Sequence, residues 1–453
     1  MKFFSLAFFL CLVIISYANP ALASEDAAAI NAPVQKYGIQ ELYRAAREKD
    51  AALLASKARL EGKQAEKTVA RSNLLPRLDL SGSLSKIDHT LLNYYNREVE
   101  GKYDSYTYGV VLRQPLLDGV SWFGLKSADI RIRSTLAEVL EAEQKLMLRL
   151  TELYCRVLKA LNEEKIAEKE RDRLQELLKE AEAKFRERTG DVVAVYEAKA
   201  ALDAQEARLV KARGEREILE NELSRVAGIK VSSSSLKEAV LFEPRGPEPS
   251  DLKPWLEATL ENHPVLIKTR EDLALAENEL KRAYATGLPT LQIVGSYSVN
   301  KGETFLPELE TRRWLYGVEA RFPLLEGGRT VGTVSASAAR VREAKETVKG
   351  NEEDLVKRTE GAFLDLALNL KLHSALKKQF ESASIQLKGV KKGREIGTRT
   401  QTDLINAEQA FFRAETELRN ALYENIILGI KLKIASGTLG ETEIVELERL
   451  LSS

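Results

Sequence analysis

The chain has 453 residues, with 68 basic and 68 acidic side chains, and 44% of its residues are hydrophobic. The even charge balance excludes the basic surface of a nucleic-acid-binding protein, and the apolar content excludes a wholly disordered chain. The histidines are scattered without metal-ligand spacing, at His89, His263 and His373. Because no nucleotide loop or catalytic constellation accompanies them, the sequence predicts no metal site, no cofactor, no catalytic residue and no enzymatic activity.

The N-terminal residues have the pattern of an export signal. Lys2 precedes a short apolar run, and small residues at positions 21 and 23 suit cleavage before Ser24. We predict a signal peptide over residues 1–23, because the run is shorter than a typical membrane anchor. The mature chain would keep one cysteine, Cys155, with a predicted role in packing. No apolar run of membrane-spanning length follows, so a membrane crossing would have to use strands.

The sequence after the signal consists of two similar halves. The stretch YGVVLRQPLLDGV at 108–120 returns as YGVEARFPLLEGG at 316–328, and LLPRLDLSGSLS at 74–85 returns as GLPTLQIVGSYS at 287–298. Each half has the pattern of a helix, two strands, a very long helix and a returning helix, so the repeat is a duplicated half. The predicted boundaries are 24–228 for the first repeat, 229–250 for a connector, 251–437 for the second repeat and 438–453 for a C-terminal tail.

The predicted strands alternate apolar and polar residues. Leu78, Leu80 and Leu84 lie on one face of the first strand, and Ser81 and Ser83 lie on the other. Each strand has about ten residues, which is enough to cross a bilayer when the strand is tilted. Aromatic residues typical of a membrane interface occur on the apolar faces at Tyr106, Tyr108, Tyr297, Trp314 and Tyr316.

Four strands cannot close a barrel in a membrane by themselves. Even small single-chain barrels have about eight strands, and an open edge in lipid leaves backbone groups without hydrogen bonds. Several copies would therefore pool their strands. A soluble four-stranded sheet is the alternative interpretation of the same alternation.

The long helices are predicted because the chain has no proline at positions 116–243 and none after position 323. The 68 residues from about 121 to 188 would form a rod roughly 100 Å long. The returning helices repeat an apolar seam of period 3.5 at an offset of 209 residues, with shared polar interruptions at Arg216 and Asn425. Periodicity alone favours an ordinary antiparallel coiled coil, and the strands count against that interpretation. The charge-rich run at 162–184 is interpreted as solvated helix faces or the lining of a water-filled bore.

With these features together, the sequence resembles the TolC family of outer-membrane export channels. The resemblance runs from ELYRAAREKD at 41–50 to GTLGETEI at 437–444 and is most specific in GTRTQTDLINAEQAFFRAETELRNALYENIILGIKLKIASGTLG at 397–440. It implies a mainly α fold with a membrane β-barrel, to which each duplicated half supplies a strand hairpin and a long helical hairpin. It also implies a homotrimer, with a twelve-stranded β-barrel in contact with outer-membrane lipid and an α-helical barrel in the periplasm. The connector and the tail resemble the segment that girdles such a tunnel near its middle.

The resemblance also implies site residues. A periplasmic tip that opens and closes would lie at the helix reversals, at Arg399, Thr400, Asp403, Asn406, Arg188 and Asp191. Arg188 stands where the family usually has glycine, and Asn406 stands where it has a second acidic residue. The alternative for Arg399 and Asp403 is a solvated helix end with a capping charge. The passages from strand to long helix would lie at Pro115, Gly119, Pro323, Gly327 and Gly328, since proline ends ladder pairing and glycine permits a bend.

The function implied by the resemblance is that of a passive exit duct in the outer membrane with a large periplasmic part. Its partners would be a periplasmic adaptor (membrane fusion) protein and an inner-membrane pump of ABC or RND type, and its cargo would be drugs, small molecules or secreted polypeptides. The alternative is an exported coiled-coil scaffold or a periplasmic adaptor. Such an adaptor usually has one helical hairpin and no paired amphipathic strands, so the duplication favours the duct.

Overall fold

Two similar runs of helices and strands follow each other along the chain. The computed structural model describes residues 37–92, 98–236, 243–301, 310–440, 443–445 and 448–449, and the predicted signal peptide lies outside them. The first run contains α1 (Ile39–Lys49), α2 (Ala51–Ser72), β1 (Arg77–Leu92), β2 (Glu98–Leu117), α3 (Gly119–Arg186) and α4 (Val192–Ala227). The second run contains α5 (Lys253–Asn262), α6 (Pro264–Ala285), β3 (Thr290–Lys301), β4 (Glu310–Arg321), α7 (Arg329–Glu395) and α8 (Gln401–Ala435). The common order of elements confirms the predicted duplication.

The long helices have the predicted length. α3 has 68 residues and α7 has 67, so each is a rod about 100 Å long. α3 begins at Gly119 because Asp118 caps it, with a carboxylate oxygen 3.1 Å from the amide nitrogen of Ser121. α3 packs against both α4 and α8, and α7 packs against α8, so these helices lie in the order α4, α3, α8, α7. Nearer the strands the order is α2, α3, α6, α7.

The strands form one antiparallel sheet of four strands in the order β1-β2-β3-β4. β3 and β4 have 12 residues each, close to the predicted length. β1 and β2 are longer than predicted, with 16 and 20 residues, because their pairing continues to Leu92 opposite Glu98. The apolar alternation that predicted these strands stops at Leu84, because the next position on the same face is Lys86, opposite Asp104.

The largest apolar core lies against the middle of α3. Leu150, Tyr154 and Val157 of α3 are at most 1% exposed and pack with side chains of α1, α4 and α8. The core also receives side chains from the connector and the tail, at Val231, Leu236, Leu439 and Ile444. Cys155 is buried in this core, which confirms its predicted packing role, and burial raises the pKa of its thiol to about 12.

The two polar interruptions of the helical seam hold the connector between the halves. Asn425 of α8 accepts a hydrogen bond from the amide of Arg245 at 3.0 Å and donates to the carbonyl of the same residue at 3.1 Å. Arg216 of α4 donates to Glu220 at 2.7 Å, and Glu220 accepts from the amide of Ser233 at 2.8 Å. Polar residues in an otherwise apolar seam thus satisfy backbone groups of the connector.

Candidate functional site

The apolar sides of the four strands come together on one face of the sheet. One row across the register consists of Leu80, Val110, Tyr297 and Trp314. Leu80 is 81% exposed and Trp314 is 74% exposed. A face this apolar and this exposed needs an apolar environment, which is either lipid or another protein surface.

Aromatic rings are concentrated on this face, which we call the apolar face. The ring centroids of Tyr297 and Trp314 are 4.5 Å apart, and those of Tyr106 and Tyr108 are 6.2 Å apart. Tyr316 is 87% exposed. All five predicted aromatics therefore lie on the apolar face, where rings of this type suit the boundary between lipid and water.

The opposite face is polar. The row beside Leu80 on that face consists of Ser81, Gly109, Ser298 and Arg313. Because side chains alternate along a strand, a sheet with lipid on its apolar face turns these residues toward a bore.

The two passages from strand to long helix are built differently. In the first half, Pro115 still lies in the sheet, opposite Gln292 of β3, and the register shifts between Pro115 and Leu117 before Gly119 begins α3. β2 thus continues two residues beyond the proline. A shift at this point fits a residue that has no N–H to donate to the ladder.

In the second half the passage is longer. β4 ends at Arg321, Pro323 follows outside the strand, and α7 begins at Arg329. Gly327 and Gly328 have φ angles of 59° and 87°. Consecutive positive φ angles are readily adopted by glycine alone, so both residues are required by the backbone of this bend.

The first helix reversal has a left-handed residue that is not glycine. Arg188 has a φ of 59°, and it is the one non-glycine residue with a positive φ in the described part of the chain. The amides of Thr189 and Gly190 donate to the carbonyl of Lys184 at 2.9 and 3.0 Å, which closes the end of α3. Asp191 caps α4 by accepting from the amide of Val193 at 3.2 Å.

The second reversal repeats this backbone with glycine at the left-handed position. Gly397, which is 209 residues after Arg188, has a φ of 78°. The amides of Thr398 and Arg399 donate to the carbonyl of Gly393 at 2.8 and 3.2 Å, at positions that match the first reversal. The reversals therefore share one hydrogen-bonding scheme, although their sequences differ.

Thr400 and Asp403 form a capping box at the start of α8. The Asp403 amide donates to the Thr400 hydroxyl at 3.1 Å, and the Thr400 amide donates to the Asp403 carboxylate at 2.9 Å. These hydrogen bonds, the backbone one first, lower the pKa of Asp403, and the nearby Arg399 guanidinium lowers it further. Asp403 is therefore a charged capping residue, and Arg399 and Asn406 are exposed beside it.

Two side-chain contacts join the two helical hairpins near the reversals. Arg394 of α7 lies 2.6 Å from a carboxylate oxygen of Glu180 on α3, and this contact is the first cause of the lowered pKa of Glu180. Thr402 of α8 donates to a carboxylate oxygen of Glu197 on α4 at 2.7 Å. Neither contact was predicted from the sequence, because each joins residues from different halves of the chain and no local pattern marks them.

Two buried carboxylates lie where α3 packs against α8, which we call the hairpin seam. Glu408 of α8 is 3% exposed, and Arg173 of α3 lies 2.8 Å from it. Lys391 of α7 approaches the same oxygen at 3.4 Å. Glu170 of α3 is 8% exposed, and burial, together with the charge of Glu408, raises its pKa. The interpretation of the run at 162–184 as solvated was therefore wrong for Glu170.

Each chain has two open flanks. Within the described residues, β1 and β4 have no partner on their outer edges. In the layer of long helices, α4 and α7 are the outermost members. Both carry large apolar side chains that are more than half exposed, namely Val193, Tyr196, Val210, Ile218, Leu364, Leu368, Leu372 and Ile385.

The described residues contain no helix of the length and apolarity that a membrane span requires. They also contain no cluster of three or more histidine, cysteine or acidic side chains arranged to hold a metal ion.

Comparison with known proteins gives consistent matches over nearly the whole chain. The family described as outer membrane efflux protein matches residues 42–229 and 255–438, once for each half. The alkaline protease secretion protein AprF of Pseudomonas aeruginosa is 24% identical, over 93% of this chain and 88% of that protein. The outer membrane protein TolC of Vibrio cholerae is 23% identical, over 94% of this chain and 97% of that protein. The outer membrane channel CmeC of Campylobacter jejuni has the same fold, with a TM-score of 0.76 at 15% identity over 96% of this chain and 97% of that one.

Proposed function

This chain belongs to the outer membrane efflux protein family, and we propose from that premise that three copies form a gated duct that spans the outer membrane and reaches deep into the periplasm. Members of the family are outer-membrane channels and not enzymes. The protein accordingly has an outer-membrane location and a periplasmic part.

The observation that supports the proposed trimer is that each chain has two open flanks. The outer edges of β1 and β4 hold unpaired backbone groups, which lipid cannot satisfy. Pairing β4 of one copy with β1 of the next would satisfy both edges, and the same head-to-tail arrangement would bring α7 of one copy against α4 of the next. Such a heterologous contact closes into a ring when its rotation divides a full turn. Three copies of a four-stranded sheet give twelve strands, which is within the range of membrane barrels.

The partners we propose are a periplasmic adaptor and an inner-membrane pump of ABC or RND type. The chain has no nucleotide-binding motif of its own, so the energy for export has to come from another protein. AprF is named for protease secretion, and BepC of Brucella suis, another relative, is named for efflux. Secreted polypeptides, drugs and other small molecules are therefore the proposed cargo classes.

The proposed gate is the ring of helix reversals at the periplasmic end. Arg394 with Glu180 and Thr402 with Glu197 join the two hairpins of one chain there, so movement of one hairpin relative to the other has to break them. The predicted tip residues lie at the same two reversals or in the first turns of α8, namely Arg188, Asp191, Arg399, Thr400, Asp403 and Asn406. In a trimer, three half-exposed Asp403 carboxylates around one axis would concentrate cations at the opening.

The assembly and its membrane location are tested by fractionation and by mass. Outer membranes are washed with high salt and then urea, and the retained protein is extracted in detergent and weighed by native mass spectrometry. We expect retention in the membrane and a mass three times that of the mature chain. Release by the washes as a monomer or dimer would support the coiled-coil scaffold instead.

The gate charge is tested with Asp403→Asn, because asparagine can still accept the capping hydrogen bond while its charge is lost. We expect a lower preference for cations in the reversal potential measured across a salt gradient. Asn406→Ala, one helical turn further along α8, is the matched control and should leave the reversal potential unchanged. An unchanged reversal potential in Asp403→Asn would remove the aspartate from the proposed gate.

A further inference from the structure

The apolar face carries two cations on neighbouring strands, at the end of β3 and β4 farthest from the helices. Two successive rows across the register are Tyr108, Val299 and Arg312, and then Tyr106, Lys301 and Glu310. Lys301 and Arg312 are therefore on the apolar face and are diagonal neighbours, about 7 Å apart. The adjacent Tyr297 and Trp314 row contains no charge.

The position of these cations along the strand corresponds to the edge of a hydrocarbon layer. Leu291 begins the apolar face of β3 next to the helices, and Lys301 lies ten residues further on. Ten residues extend roughly 33 Å along a strand, or roughly 25 Å along the membrane normal for a strand tilted by about 40°. This is the height of the apolar band of a membrane barrel, so Lys301 and Arg312 lie at the level of the lipid headgroups. Because the helices extend into the periplasm, this level is the outer leaflet.

The contacts of the two cations leave their charges partly uncompensated. Lys301 Nζ is 5.8 Å from the centroid of the Tyr106 ring, an aromatic contact that holds the ammonium in place without neutralising it. Arg312 donates through Nε to Glu310 at 2.8 Å, and its side chain is 70% exposed. Val299, which lies between Tyr108 and Arg312 in the row, is only 1% exposed, so the cluster is packed at its base.

The cluster at the end of β3 and β4 has one excess positive charge. Lys301 and Arg312 share one carboxylate, that of Glu310. Further along β1 and β2, Lys86 lies opposite Asp104, and Lys102 pairs with Asp88 at 2.9 Å. Those two pairs are balanced, and Glu100 and Glu98 follow in the register only six and eight residues beyond Tyr106, so the positive excess is local to Lys301 and Arg312.

We propose that Lys301 and Arg312, flanked by Tyr106 and Tyr108, form a binding site for the phosphate group of a phosphorylated glycolipid of the outer leaflet. The free edge of the Arg312 guanidinium offers two parallel N–H donors that match phosphate oxygens, and the flexible Lys301 side chain on the neighbouring strand offers an ammonium to the same group. The exposed apolar residues below, such as Leu80 and Trp314, would contact the acyl chains of that lipid. The site rests on the proposed membrane assembly, which would carry three copies of it.

The test compares two lipids that differ only in phosphate. Detergent-extracted wild-type protein is incubated with diphosphorylated lipid A or with the same lipid after enzymatic removal of its phosphates, and bound lipid is counted by native mass spectrometry. We expect about tenfold tighter binding of the phosphorylated lipid, the factor that one charge-assisted contact provides. Equal binding of the two lipids would overturn the site without any need for a variant. A third sample contains inorganic phosphate as a competitor and shows whether the site recognises a lipid or free phosphate. A lipid site should keep its bound lipid A, whereas a site for free phosphate should lose it.

Variants locate the site on one face. Lys301→Gln with Arg312→Gln should reduce binding of the phosphorylated lipid to the level of the dephosphorylated one. Arg313→Gln is the matched control, because Arg313 is the next residue of β4 but lies on the polar face. An equal loss in the control would assign the effect to general charge and would contradict the proposal. Planar-bilayer conductance of the same samples separates the two proposals, since a conducting protein without lipid preference refutes only the lipid site.

Discussion

The two helix reversals share one backbone and differ in almost every side chain. In both, a left-handed residue follows the long helix, and two amides return to a carbonyl of its last turn. The first reversal has Arg188 at the left-handed position and a single capping residue, Asp191, whereas the second has Gly397 and a reciprocal capping box. The comparison shows that the backbone hydrogen bonds at the helix ends determine the shape of the reversal. The side chains at matching positions can therefore differ without changing that shape.

Substitutions at matched positions of the two halves should differ most in their effect on the free energy of unfolding at the hairpin seam. Glu408 is 3% exposed and paired with Arg173, whereas the position 209 residues earlier is Lys199, which is exposed. Glu408→Ala should lower the free energy of unfolding by about 2 kcal/mol, because it removes a charge-assisted hydrogen bond to a buried carboxylate and leaves Arg173 with only its exposed partner Glu176. Lys199→Ala should change it by less than about 0.5 kcal/mol. Thermal unfolding of the detergent-extracted protein measures both effects. Equal effects of the two substitutions would contradict the special contribution of Glu408.

Substitutions at the two left-handed positions test how much each reversal depends on its backbone conformation. Gly397→Ala should lower stability by about 1–2 kcal/mol, because an L-residue is strained at this φ. Arg188→Gly should act in the opposite direction and raise stability by a smaller amount, about 1 kcal/mol, since it relieves the same strain at some cost in chain entropy. Hydrogen exchange of the amides that close each reversal gives both values. A loss of protection in Arg188→Gly would show that the arginine side chain has a structural role at the tip.

A smaller effect is expected for the hydrogen bond between the hairpins. Thr402→Val removes the donor to Glu197 and should cost about 1 kcal/mol at the tip, seen as a longer open time in single-channel recordings. Thr398→Val is the control, because its hydroxyl bonds the carbonyl of Gly393 within its own turn. If both variants lengthen the open time equally, the contact between hairpins has no special part in opening.

The smallest effect is that two carboxylates of α3 change the stability of the protein in opposite directions as the pH falls. Burial raises the pKa of Glu170 above its ordinary value of 4.5, so the hairpin seam should gain stability as the pH falls through that raised value and Glu170 takes up a proton. Arg394 lowers the pKa of Glu180 below 4.5, so its contribution is complete above 4.5 and is lost only as the pH falls through the lowered value. Arg208 and Glu408 are the charged neighbours of Glu170: Arg208 lowers its pKa, and Glu408 adds to the rise that burial causes.

Glu170→Gln isolates the first of these titrations. Hydrogen exchange along the hairpin seam, followed from pH 7.5 toward about 5, should show increasing protection in the wild type and no such trend in the variant. Glu180→Gln should keep the wild-type trend in this range. A wild-type seam that loosens on mild acidification would reverse the assigned sign.

The parts of the fold that were predictable from the sequence depend on local patterns. Alternation along β3 and β4, together with the scarcity of proline in α3 and α7, predicted elements of nearly the observed length. The capping of α8 was also open to prediction, since threonine followed by aspartate three residues later is a local signal. The extension of β1 beyond Leu84 was not predicted, because Lys86 and Asp88 take the next two positions on the apolar face and end the apolar alternation there.

The contacts of the candidate tip depend on packing between halves, and for that reason the sequence did not indicate them. Glu170 lies in a run that has the pattern of a solvated helix face, and its burial follows only from the position of α8 beside α3. The same holds for Arg394 and Glu180. For the left-handed conformation of Arg188 the sequence contained one indication, because the residue stands at a position where the family usually has glycine.

The central claim, that this chain pools its strands and helices into a gated duct, is tested most directly by ionic current across a planar bilayer. Purified wild-type protein and Arg394→Ala, which lacks the contact with Glu180, would be inserted and recorded side by side. We predict discrete steps of uniform size in both, with a larger or longer-lived open level in the variant. A bilayer that stays silent for both proteins, although their insertion is confirmed, would contradict the duct.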